Sequence, residues 1–131
     1  MALLPVTLAA AAAAAILNVW LMLRIGAVRN AEKVYVGDED CEPLIRRMRA
    51  QANFVESTPF VLALILVIEL SGTGQAWLQY VAALYFIARI AHAFGMDGGS
   101  FKMGRLIGTI VTLLTLLGLA IVAALIAARV L

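Results

Sequence analysis

Cysteine and histidine are nearly absent: one of each in 131 residues. A lone thiol, Cys41, closes no internal disulfide, and Cys41 with His92 cannot supply the four ligands of a structural zinc site within one subunit. Charge is scarce as well. Asp, Glu, Lys and Arg make up 14% of the chain against 64% hydrophobic residues, with a mean hydropathy of +1.01. Soluble domains carry about 25% charged residues, so an ordinary soluble globule is excluded. Ten basic residues against eight acidic ones give a net charge of +2. They form no basic stripe of the kind that binds nucleic acid; they gather at the ends of apolar runs, which is a membrane pattern.

What is present is long apolar sequence. Ala2 to Leu23 contains no charge, roughly 22 residues, enough to cross about 30 Å of hydrocarbon at 1.5 Å per residue. No Lys or Arg precedes the Ala9–Ala15 run, and Asn18 and Trp20 continue the segment, so it reads as a span and not a cleaved signal. Its alanines permit close helix contact, and Asn18 reads as an interhelical hydrogen-bonding residue. Arg24 and Arg29 end this span, and a polar loop follows from Asn30 to Pro43. The acidic neighbours of Cys41 argue against a reactive thiol. Pro43 opens a second helix whose apolar run, from Phe60, extends to about Ser71, with Glu69 marking the far interface. Trp77 and Tyr80 anchor a third span, and a charge-free fourth follows Arg105. The expectation is an all-α integral membrane protein, one domain over residues 1–131, with spans at about 2–24, 43–71, 75–96 and 105–129.

The second helix begins with costly residues. A charge at the centre of a span costs about 2.5–3.5 kcal/mol on insertion scales and faces a partner or a wet cavity. Arg49, Asn53 and Glu56 (i, i+4, i+7) fall within roughly 60° of one another on a helix, while Gln51 points to nearly the opposite side. In the third span Tyr85, Arg89, His92 and Met96 share a face. Glu56 is the expected anion for Arg89; direct pairing of Arg49 with Glu56 is the structural alternative. Lys102 and Arg105 open the fourth span, near the positive end of a helix. Counting basic residues puts both charged loops in the cytoplasm and both termini outside. Arg49, Asn53, Glu56, Arg89, His92 and Arg105, with Arg29 nearby, then meet at one membrane face as a polar pocket beside lipid. Excess guanidinium suits an anionic guest, and Glu56 can accept from an ammonium group. A tripeptide such as glutathione fits these groups, and so does a phospholipid headgroup.

The run Arg49-Ala50-Gln51-Ala52-Asn53-Phe54-Val55-Glu56-Ser57-Thr58-Pro59 resembles the RAQxNxxExxP signature of the MAPEG family, membrane-associated proteins in eicosanoid and glutathione metabolism. The resemblance covers essentially the whole chain and includes the Ala88-Arg89-Ile90 segment and a basic residue opening the fourth span; Val36-Gly37-Asp38 is similar to the bacterial branch. It implies a homotrimer of left-handed four-helix bundles, multi-pass in a bacterial inner membrane, with glutathione as co-substrate at each subunit interface and no metal. By matching position, Arg49, Asn53, Glu56 and Arg89 would hold glutathione within one subunit, with His92 beside them. Gln51 and Arg29 would reach it from the neighbour. Arg105, or Lys102 if the glycine-rich loop shifts the alignment, would stabilise the thiolate. Ser57, His92 and Met96 stand where the eicosanoid-branch transferases carry tyrosines.

The expected function is a membrane-bound glutathione transferase or peroxidase acting on lipophilic electrophiles or hydroperoxides in detoxification, with membrane lipids as surroundings and no nucleic-acid partner. A non-catalytic lipid- or glutathione-binding scaffold of the same family is the second reading. A small multidrug exporter ranks last, because such proteins need a membrane-embedded acid in the first helix and this one offers only Asn18.

Overall fold

The computed structural model describes residues 3–131, so the expected start of the first span at Ala2 lies outside the described residues. Four long helices follow one another: α1 (Pro5–Glu32), α2 (Glu42–Leu70), α3 (Gln75–Met96) and α4 (Met103–Ala127), with a 3₁₀ turn at Gly99–Phe101 between the last two. Proline sits in the first turn of α1 and of α2, where its missing N–H is no loss. α2 continues through Pro59 as one helix.

α1 is longer than its apolar run. It carries on past Arg24 and Arg29 to Glu32 and stops at Lys33, which adopts a left-handed conformation (φ 57°). The polar loop is shortened accordingly. The reason is burial: Val28 packs with Val34 and Leu44 in a small apolar cluster that rewards another turn of helix. Arg29 then folds onto the loop, donating to the carbonyls of Val34 (3.0 Å) and Gly37 (2.8 Å).

α3 lies against α4 most extensively, α1 against α2, and α2 touches both α3 and α4. The α4 face that meets α3 carries Gly104, Gly108, Thr112, Thr115 and Leu119, all buried. A Cβ on Gly108 would come 2.8 Å from the Ala88 carbonyl oxygen and overlap the side chain of His92. The two backbones therefore approach as closely as small-residue stripes in membranes allow. Much of the outer surface is Leu, Ile, Val and Phe, as suits a chain surrounded by lipid.

Among the described residues, three helical stretches are long and apolar enough to cross a membrane: Pro5–Glu32, Glu42–Leu70 and Gly99–Ala127. α3 was expected to be a fourth and does not meet that standard, because Gln79, Arg89 and His92 interrupt its apolar run.

Each end of the bundle is tied by an acid. Glu69 does more than mark an interface: its carboxylate accepts from Val6 N (2.9 Å), Thr7 N (2.7 Å) and Thr7 Oγ1 (2.6 Å). It thereby caps the first turn of α1, whose own N-cap residue, Leu4, offers no side-chain acceptor. At the other end Asp97 pairs with Arg24 and lies 3.5 Å from Arg47 Nε, while Arg47 also donates to the Arg24 carbonyl (2.8 Å). The Arg24 guanidinium stands 4.9 Å and 5.1 Å from the ring centroids of Trp20 and Phe94. This knot joins α1, α2 and the end of α3.

Candidate functional site

Arg89 is 2% exposed, inside the bundle where α2, α3 and α4 meet. Its Nη2 donates to Asn53 Oδ1 of α2 (2.7 Å), and its Nη1 donates to Thr112 Oγ1 of α4 (3.0 Å). His92, one turn on and also buried, lies with Nδ1 3.4 Å from the same Nη2. The Arg89 Nε has no partner. Every group around this cation is neutral. A buried charge normally demands a counter-ion, so the arrangement holds a guanidinium ready and leaves its charge unanswered.

Two sequence expectations fail at this point. Glu56 does not neutralise Arg89: among the described residues the ion pairs are Arg24–Asp97, Arg46–Glu42 and Arg47–Asp97, and none includes Arg89, Glu56 or Arg49. Asn53 is the α2 residue that meets Arg89, and Glu56, about 60° further round the helix, is turned to the exposed face. Arg49 and Glu56 do not pair either; their seven-residue separation amounts to about 10 Å along the axis.

The remaining placements divide clearly. Arg49, Asn53 and Glu56 form an exposed column on α2 whose middle member touches Arg89. Gln51 points away, toward α1, where its amide donates to Asn18 Oδ1 (3.3 Å), in keeping with the helical spacing and with the bridging role read for Asn18. Arg29 is held by its loop and by Met48 Sδ (3.8 Å), apart from the Asn53–Arg89 cluster. Arg105 lies in the first turn of α4, three residues before the glycine that abuts His92. It lines a cleft of about 660 Å³ with Arg46, Met96, Lys102 and Leu106. Lys102 and Arg105 share that cleft, which carries three cations and no carboxylate.

Several contacts were not legible beforehand. Thr112 binds Arg89, and its only sequence signal is a hydroxyl four residues after Gly108 on the small-residue stripe. Tyr85, fully buried, places its hydroxyl 2.8 Å from Thr58 Oγ1 and 3.1 Å from Ser57 Oγ. Ser57 Oγ in turn donates to the Asn53 carbonyl (2.9 Å).

With these positions established, a comparison with protein families gives one result: the model of the MAPEG family matches residues 7–125, nearly the whole chain. No curated protein matches it.

Proposed function

The chain belongs to the MAPEG family, and from that premise we propose that it is a membrane-bound glutathione transferase or peroxidase, working as a homotrimer in a bacterial inner membrane. One observation carries this reading: the buried Arg89 guanidinium, oriented by Asn53 and Thr112, has no anion of its own. A carboxylate of glutathione supplies it. Arg49, one turn earlier on α2, takes a second carboxylate, and Glu56 accepts from the ammonium group. Gln51 and Arg29, turned away from this cluster within the subunit, reach the ligand bound by a neighbour. α3 completes a four-span bundle because its one cation is directed inward, away from lipid. The charged end faces the cytoplasm.

Arg105, or Lys102 beside it, holds the thiol of the bound tripeptide as thiolate; each pKa unit removed corresponds to about 1.36 kcal/mol of preference for the anion. The thiolate then attacks a lipophilic electrophile or hydroperoxide arriving from the bilayer. His92, with Nδ1 3.4 Å from Arg89 Nη2, helps to orient the guanidinium beside the ligand.

Calorimetric titration of the detergent-solubilised protein with glutathione, followed by conjugation of a chlorodinitrobenzene-type electrophile, tests the proposal. Saturable binding with turnover is expected. Binding without turnover converts the protein to a glutathione-binding scaffold, a reading favoured by Ser57, His92 and Met96 at the positions of the eicosanoid-branch tyrosines. Absence of binding removes both. Arg105→Ala should lower turnover at least tenfold with binding retained. Equal small effects from Arg105→Ala and Arg49→Ala would overturn the division of roles.

A further inference from the structure

A furrow runs along the outside of the bundle between α1 and α3. It has two stretches, of about 380 Å³ and 430 Å³, which share Ala13 and Phe86 and so form one trough. No residue of α2 or α4 lines it. Its origin is a mismatch of size. Phe86 and the edge-to-face pair of Trp20 with Phe94, centroids 5.4 Å apart, stand between the two helices, while the alanines beside them on both helices are too small to fill the gap. From Pro5 to Trp20 the trough follows α1 for about 22 Å at 1.5 Å per residue, more than the depth of one leaflet of a hydrocarbon core about 30 Å thick. Apart from Gln79 at its far end, every residue that lines it is apolar.

The other end of the trough is charged. Trp20, its last residue on α1, lies beneath the Arg24 guanidinium, 4.9 Å from the ring centroid. Arg24 pairs with Asp97, and Asp97 belongs to a hollow of about 360 Å³ whose wall also contains Glu42, Arg46 and Arg47. Three arginines therefore meet two carboxylates. Glu42 answers Arg46 at 2.7 Å and Asp97 answers Arg24, so Arg47, 3.5 Å from a carboxylate already engaged, is the cation in excess. Its Nη1 donates to the Arg24 carbonyl, its Nη2 has no partner among the described residues, and its side chain is 27% exposed. An apolar trough of leaflet depth that ends beneath one surplus guanidinium matches a lipid with one negative charge in its head group. A zwitterionic head would leave the surplus in place, and a free phosphate would use Arg47 and none of the trough. We propose that the furrow between α1 and α3 binds an anionic phospholipid, with an acyl chain along the alanines and Phe86 and the phosphodiester on Arg47 Nη2.

Native mass spectrometry of the full chain in detergent, titrated with phosphatidylglycerol or with phosphatidylcholine of the same acyl chains, reads the site directly. Phosphatidylglycerol should be retained about fivefold more tightly, the value of one basic side chain beside an anionic head group. Arg47→Gln should abolish that preference and Arg47→Lys should keep it, which separates the charge of Arg47 from its hold on the fold. Ala83→Leu, at an exposed position in the trough, should weaken both lipids together and leave their ratio unchanged. If Lys102→Gln removes the preference and Arg47→Gln does not, the anion lies in the cleft of α4 and the proposal fails. It fails equally if glycerophosphoglycerol, the same head group without chains, displaces the lipid. Unchanged lipid retention in Ala83→Leu would also overturn it, and a changed number of subunits in the same spectra would then identify a second copy as the occupant of the furrow. None of these outcomes depends on glutathione.

Discussion

The bundle holds two arginines in opposite ways. Arg24 is answered: it pairs with Asp97, donates to the Ala93 carbonyl and lies over two aromatic rings. Arg89 is more deeply buried, yet it is surrounded by an amide, a hydroxyl and an imidazole. The first arrangement is complete within one subunit and ties three chain segments together. The second is incomplete by one negative charge. On the function proposed above, the second is the arginine whose missing charge the ligand supplies.

Substituting each arginine separates the two cases. Arg89→Met should weaken glutathione binding at least 100-fold by calorimetry, roughly 2.7 kcal/mol, while leaving the thermal transition in detergent unchanged or higher, because it removes an uncompensated buried charge. A sharp fall in stability with binding intact would reverse the assignment. Arg24→Met should do the opposite: it leaves Asp97 with Arg47 alone and should lower stability by about 1–2 kcal/mol with little change in affinity.

The frame that presents Arg89 can be tested independently of its charge. Gly108→Ala drives a methyl group against His92 and the Ala88 carbonyl, and should cost about 1–3 kcal/mol through overpacking and weaken binding as Thr112 moves away from Arg89. Unchanged affinity would mean that α4 does not orient the guanidinium. The smallest effect belongs to the far end of the bundle, where Glu69→Ala should cost about 0.5–2 kcal/mol for a lost cap and leave glutathione affinity within twofold.

The order of the helices follows from the succession of apolar runs, and the shared face of Arg49, Asn53 and Glu56 and the opposite orientation of Gln51 follow from a rotation of 100° per residue, which the rest of the fold leaves unchanged. The partner of Arg89 does not follow from it. Charge complementarity favours Glu56, but the choice of Asn53 and Thr112 depends on which side of α4 meets α3, and that is set by how closely Gly104 and Gly108 let the two backbones approach. The last turns of α1 were hidden for a similar reason: Val28 becomes apolar-packed only once Val34 and Leu44 fold back onto it. Local periodicity was legible, and contacts between distant segments were not.

The acid that finishes α1 comes 63 positions after one of the amides it accepts from. Synthesis makes the N-terminal turn first and its acceptor much later, so that turn waits with open N–H groups until the second hydrophobic segment has been made. The opening two helices are therefore completed as a pair. Proteolytic footprinting of truncated nascent chains should find the residues around Val6 and Thr7 protected only in chains long enough for Glu69 to have emerged, and equal protection in shorter chains would contradict such paired assembly.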